Sequence, residues 1–203
     1  SASSDPALSQ LLEGVLHQCQ LHDFALQLAA PESDLGRYAV DGWMSLFSRR
    51  PLQRTAYRGL PVVVVEPFVK TSLTAVSADN YQAGLLLGSH LRMTARSVVF
   101  FTHRALEASP PSVLRRYTAF ERALQGISAV KPFALGGLIP GEARLRREVE
   151  LLVRQDGCDT LVAEDDQLGA LVLKAVLSAG YRVPGDVQVA TIANLGYAGF
   201  CHP

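Results

Sequence analysis

Little in this chain is extreme, and what is scarce excludes whole classes of function. Neither sign of charge dominates: Lys plus Arg number 19, Asp plus Glu number 19, and the formal net charge is zero. Such a chain has no general attraction for phosphate backbones or anionic membranes. Cysteine occurs three times, as Cys19, Cys158 and Cys201. They are widely spaced and odd in number, which suits free thiols in a reducing compartment better than a disulfide framework. No apolar run approaches the roughly 18 residues that span a bilayer, and SASSDPALSQ carries neither a basic nor a long apolar segment of a secretory leader. A cytoplasmic protein without membrane contact is expected.

Chemical motifs are equally sparse. GVLHQCQ and LGGLIPGEAR supply glycines, but neither forms G-x-G-x-x-G or a P-loop. There is no G-x-S-x-G elbow. The histidines, His17, His22, His90, His103 and His202, have no ligand spacing, and a lone histidine on a helix is usually structural. No catalytic residue, metal set or cofactor is assigned, and the chain is not expected to be an enzyme.

What is present is an alternation of helix-period and strand-period segments. Residues 6–21 place Leu8, Leu11, Leu12, Val15, Leu16 and Cys19 on one helical face, with Asp5 as cap and Pro6 in the first turn. FALQLAA, AVDGWMSLF and LPVVVVEPF read as strands. The unbroken Val62–Val65 run suits a strand covered on both faces of a parallel sheet. Helices are predicted over 79–93 (with Ala83, Leu86, Leu87 and Leu91 on one face), 112–126, 142–156 and 167–179. SVVFFTH, ALGGLI, DTLVAED and VQVATIA are the strands between and after them. Short turns at most joints give an α/β fold with parallel sheets and helices on both faces. Ligands of such folds sit outside the carboxyl ends of the strands. The informative positions are therefore Asp79-Asn80, Thr102-His103, Asp165-Asp166 and Ala193-Asn194.

Two stretches carry chemistry, one at such an edge and one on a helix. AEDDQ puts Glu164, Asp165 and Asp166 directly after a strand. One of them can cap the next helix and favour its dipole, and one can accept hydrogen bonds from ligand hydroxyls. Arg115 and Arg116, near the start of the 112–126 helix, stand where the dipole favours acids. Either is a solvated surface cation or a fork for a hydroxyl or carboxylate. A metal site using Asp165 and Asp166 lacks a supporting histidine or cysteine, although it would suit an enzyme on a similar scaffold.

Several stretches, in order, resemble the effector-binding domain of the lactose-repressor/galactose-repressor family. They are VDG at 40–42, LPVVVVE at 60–66, VSADNYQAG at 76–84 with SHL at 89–91, RYTAF at 116–120 with Ala119 for a glycine, and LVAEDDQLGALVLKAVLSAGYRVPGDVQVATIAN. The resemblance implies two Rossmann-like parallel-sheet subdomains around a ligand cleft, as in type I periplasmic binding proteins. Their expected limits are 1–103 and 104–194, with 195–203 starting a return crossover; chain crossings are expected near Thr102–Arg104 and Asn194–Phe200. It also implies a ligand set: Arg116 as the gripping arginine, Asp79 and Asn80 at the edge of the first subdomain, Glu164 and Asp165 at the next edge, Asn194 after the last strand, and Ser4 and Asp5 in a first loop. A sugar-like effector, a homodimer and DNA contact only through a helix-turn-helix outside this chain are implied as well.

The chain departs from the pattern where Thr191, Ile192, Ala193 and Asn194 replace a stretch that usually carries a sugar-binding Asp. Loss of one charged acceptor forfeits about 1.5–3 kcal/mol. The resemblance further implies a longer domain, with a strand before residue 1, chain missing near Glu32–Arg37 and continuation past CHP. A transport-type sugar-binding protein and a dimerisation module without ligand are the competing expectations.

Overall fold

The fold is that of a computed structural model, which describes residues 6–29, 34–48, 59–136, 141–193, 196–197 and 201. Ser4, Asp5 and Asn194, expected at the ligand site, lie outside the described residues, as does most of the expected crossing at 194–200. The chain divides into two compact units, residues 1–78 and 79–203.

The first unit contains α1 (Pro6–Leu21) and a three-stranded parallel sheet. Its strands are β1 (Trp43–Leu46), β2 (Val62–Val65) and β3 (Thr74–Val76), in the order β1-β2-β3. The valine run is central as expected, and Val64 is fully buried. Residues 24–29 of FALQLAA do not form a strand: Phe24, Leu26 and Leu28 are exposed on irregular chain. β3 was not foreseen; it is short, exposed throughout and defined by its pairing with β2.

The second unit is a four-stranded parallel sheet in the order β5-β4-β6-β7, built from β4 (Ser97–Thr102), β5 (Ala129–Ala134), β6 (Thr160–Ala163) and β7 (Gln188–Thr191). Helices α2 (Asn80–Leu91), α3 (Pro111–Leu124), α4 (Glu142–Arg154) and α5 (Asp166–Ser178) connect the strands. Successive strand residues point to opposite faces, so each central strand feeds two cores. Val99, Phe101, Leu161 and Ala163 pack with Leu145, Val149 and Leu152 of α4 and Leu168, Val172 and Val176 of α5. Val98, Phe100 and Val162 pack with Leu91 of α2 and Tyr117, Phe120 and Leu124 of α3. This is the parallel α/β architecture expected from the alternation.

Helix limits agree with the sequence within a few residues, but the buried face of α2 does not. Leu86 is exposed, and the inward residues are Asn80, Gly84, Gly88 and Leu91. The two glycines let α3 approach closely. A Cβ on Gly88 would lie 2.5 Å from the Ala123 Cβ and 2.9 Å from the Phe120 carbonyl oxygen. On Gly84 it would meet the Arg116 carbonyl.

The structural division falls before the expected boundary at 103/104. β4 pairs with β5 on one side and β6 on the other, and α2 packs on α3, so residues 79–103 belong with the later strands and helices. Asp79 and Asn80 are thereby placed in the second unit, not at the edge of the first. The loop at Thr102–Arg104 lies wholly inside that unit.

Candidate functional site

The carboxyl ends of β4, β6 and β7 and the start of α2 bring the expected residues of the second unit to one edge. Asp79 caps α2: its carboxylate accepts from the Gln82 amide at 2.9 Å. Asn80, on the first turn and buried, turns inward. Its Oδ1 accepts from Arg116 Nε at 2.6 Å. Pro111 starts α3, which places Arg116 in its second turn rather than its first, half-buried beneath the strand ends. Arg116 Nη1 donates to the carbonyl of Glu164 at 3.0 Å and, more weakly, to that of Ile192 at 3.4 Å. One guanidinium thus ties α2 to the ends of β6 and β7. Arg115 is exposed.

Past β6 the two roles expected for AEDDQ separate. Asp165 is the cap of α5, and its Oδ1 accepts from the Leu168 amide at 2.7 Å. Its other oxygen, Oδ2, lies 2.9 Å from His103 Nε2. Glu164 is buried with 6% of its surface exposed, and its Oε1 stands 3.7 Å from the same nitrogen. Glu164 Oε2 and Thr102 Oγ1 are buried without a hydrogen-bond partner among the described residues. Asp166 is buried too and accepts from the Tyr197 amide at 3.2 Å.

His103 is named by the sequence as an edge position but is given no role there. Its position after β4 marks the same edge as Asp165. The histidine count and spacing hid its role, because its partners are 61 and 62 positions away. The three donor atoms of His103, Glu164 and Asp165 all lie within 4.8 Å of one another.

The electrostatics arise from these contacts. The hydrogen bond to Asp165 holds the His103 pKa above its ordinary 6.5, against the opposing effect of burial. Burial pushes the Glu164 carboxyl up, and the neighbouring His103 and Arg116 only partly offset it. For Asp165 burial acts upward as well, but the His103 and Leu168 hydrogen bonds and both cations together bring it below its ordinary value. Adjacent carboxyls are thus driven in opposite directions, one toward a proton and one toward its charged form. The edge thus gathers two carboxyl groups, an imidazole and a guanidinium braced by Asn80 and two main-chain carbonyls. Ala193, at the position of the missing acid, is exposed next to Ile192.

In parallel α/β units ligands sit outside the carboxyl ends of the strands, where this unit gathers its polar groups. Residues 91–203 match the family described as "Periplasmic binding protein-like domain". The chain belongs to that family, as an effector-binding domain of the lactose-repressor/galactose-repressor type. It is 22% identical over 222 aligned residues to the HTH-type transcriptional repressor PurR of Mannheimia succiniciproducens, covering 100% of this chain and 65% of that protein. It is 27% identical over 164 residues to the sucrose operon repressor of Pediococcus pentosaceus, covering 79% of this chain and 47% of the relative. The chain therefore spans about half to two thirds of these relatives. Among solved structures, a LacI family transcriptional regulator from Enterococcus faecium with bound ribose superposes with a TM-score of 0.73 at 19% identity, covering 99% of this chain and 78% of that one. The transcription regulator CcpA of Lactococcus lactis gives 0.74 at 18% identity, with 98% and 78% covered. Among the described residues no helix is long and apolar enough to cross a membrane.

Proposed function

We infer that this chain is the effector-sensing part of a cytoplasmic transcriptional regulator, acting without catalysis, and that its effector is a sugar or sugar derivative. The effector sits at the carboxyl edge of the second sheet. The observation that carries this reading is the convergence of Asn80, Arg116, Glu164 and Asp165 there, with a buried Glu164 oxygen that has no partner among the described residues. A sugar hydroxyl donating to the partly exposed Asp165 carboxylate would be gripped there. The family's repressors, including relatives whose names specify a repressor of the helix-turn-helix type and a sucrose operon, support a regulatory role. DNA contact belongs to a segment outside residues 1–203, consistent with the zero net charge here. The working unit is a homodimer, and the effector acts only by its unequal affinity for two conformations of the protein.

Arg116 anchors indirectly on this reading. Its guanidinium is engaged by Asn80 and two carbonyls, so it fixes the edge on which the effector lands. The test is a thermal-shift screen of the full-length protein against pentoses, hexoses, sugar phosphates, sugar acids and nucleosides, with Arg116→Ala as control, each measured against its own unliganded baseline. A sugar-class hit that disappears in the control supports the assignment. Silence across the panel from a well-folded protein refutes it.

A further inference from the structure

The cluster at His103 has a geometry that hydroxyl recognition does not require. We propose that His103, Glu164 and Asp165 form a binding site for a zinc-like divalent transition-metal ion at the carboxyl edge of the second sheet. The residues come from two adjacent strand ends, which are held together where the Glu164 amide donates to the Phe101 carbonyl at 3.0 Å. The donor set is one imidazole nitrogen and two carboxylate oxygens. An ion bound at about 2.0–2.1 Å in tetrahedral geometry keeps its ligand atoms about 3.3 Å apart. Here the distances from His103 Nε2 are 2.9 Å to Asp165 Oδ2 and 3.7 Å to Glu164 Oε1, on either side of that spacing. Small side-chain adjustments would accommodate the ion, with a fourth position left for water or a ligand oxygen.

Two further features fit an ion and are independent of the spacing. Glu164 is 94% buried, since only 6% of its surface is exposed, and it turns Oε1 toward His103 while its sealed Oε2 has no protein partner among the described residues. A carboxylate withdrawn from water this far is normally paired or coordinated. Asp165 has its other oxygen fixed by the Leu168 amide at 2.7 Å, which aims Oδ2 at the histidine. Such an outer hydrogen bond orients a coordinating carboxylate. Two carboxylates and a neutral imidazole also balance a doubly charged ion. The nitrogen donor favours zinc or cobalt over magnesium, which takes oxygen ligands in octahedral geometry.

This inference goes beyond the effector reading while sharing Glu164 and Asp165 with it, so it is tested without any sugar. Chelator-treated full-length protein is titrated with Zn²⁺, Co²⁺ and Mg²⁺, following the melting temperature and the visible spectrum of the Co²⁺ form. Zn²⁺ and Co²⁺ should raise the melting temperature, and Co²⁺ should show bands of nitrogen-oxygen ligation without thiolate charge transfer. His103→Gln and Glu164→Gln should each weaken ion binding by more than the roughly tenfold cost of losing even an outer partner. Cys19→Ser and Cys201→Ser should leave it intact. If His103→Gln does not fold, Glu164→Gln, nearly identical in shape, decides. No response of the wild type to Zn²⁺ or Co²⁺, an unchanged response in Glu164→Gln, or a response lost with the cysteines would each overturn the site. A sugar hit without an ion response would leave the effector reading standing and remove this one.

Discussion

Gly84→Ala isolates what holds α2 against α3. Two effects oppose each other. Alanine in place of a mid-helix glycine stabilises a helix by up to about 1 kcal/mol. The added methyl would run into the Arg116 carbonyl oxygen and stand 3.0 Å from the Ala119 Cβ and the Arg116 carbonyl carbon. Carbon atoms in good contact sit about 3.5–4.0 Å apart, and the obstruction is backbone, which cannot swing aside as a side chain can. The helices must separate, at about 1–3 kcal/mol for an overpacked core. Sterics should win, giving a net loss of about 1–2 kcal/mol. Gly14→Ala supplies the contrast: it is helical with nothing within 4 Å of its would-be Cβ, so it should gain stability. Urea unfolding monitored by circular dichroism gives both midpoints. A stabilising effect of Gly84→Ala matching that of Gly14→Ala would refute the close-packed seam. Because the displaced carbonyl belongs to Arg116, the variant should also weaken any ligand response at the edge.

The site itself yields three more expected outcomes. His103 has a raised pKa, so its pairing with Asp165 stabilises the fold fully below the ordinary value of 6.5 and fades as pH rises through the higher folded value. The melting-temperature difference between wild type and His103→Gln should therefore be largest near about pH 6 and shrink toward about pH 9; a constant difference refutes the pairing. Glu164 is also raised, by burial, so it loses stability as pH climbs through its folded value and its proton is stripped. In metal-free protein Glu164→Gln should thus be relatively more stable at neutral pH than at acid pH, measured by melting at each. Restoring the missing acceptor with Ala193→Asp should tighten binding of any sugar found in the screen by about tenfold to a hundredfold, the equivalent of about 1.5–3 kcal/mol. Calorimetry showing no gain would mean that the position faces away from the ligand.

The second unit was the more legible half. Its central strands have apolar middles, β6 is buried at every position, and α3 and α4 carry one-sided apolar patterns. Where reading failed, pairing rather than composition made the structure. β5 begins before the expected ALGGLI segment and contains Lys131 and Pro132, which suit an edge strand and obscure the pattern. β3 is three exposed residues that exist as a strand through β2. FALQLAA has strand composition and, among its described residues, no strand pairing. Glycines hid the α2 interface, because a residue chosen for having no side chain leaves no hydrophobic signal. In the site, Asn80, Glu164 and Asp165 stand out by their place after strands and Arg116 by its misfit with the helix dipole, and family likeness gave them a shared ligand role. The Arg116 brace was not legible, since main-chain carbonyls have no letter in the sequence.

The complete burial of β6 bears on how slowly the edge can come apart. Amides in a strand covered on both faces exchange with solvent only when the surrounding unit opens, whereas exposed segments exchange through local fraying. Thr160 to Ala163 should be among the last amides to exchange and Thr74 to Val76 among the first. Glu164 starts where this protected strand ends. The chemistry at that edge is therefore attached to the part of the chain that yields last, and it should outlast the early stages of unfolding.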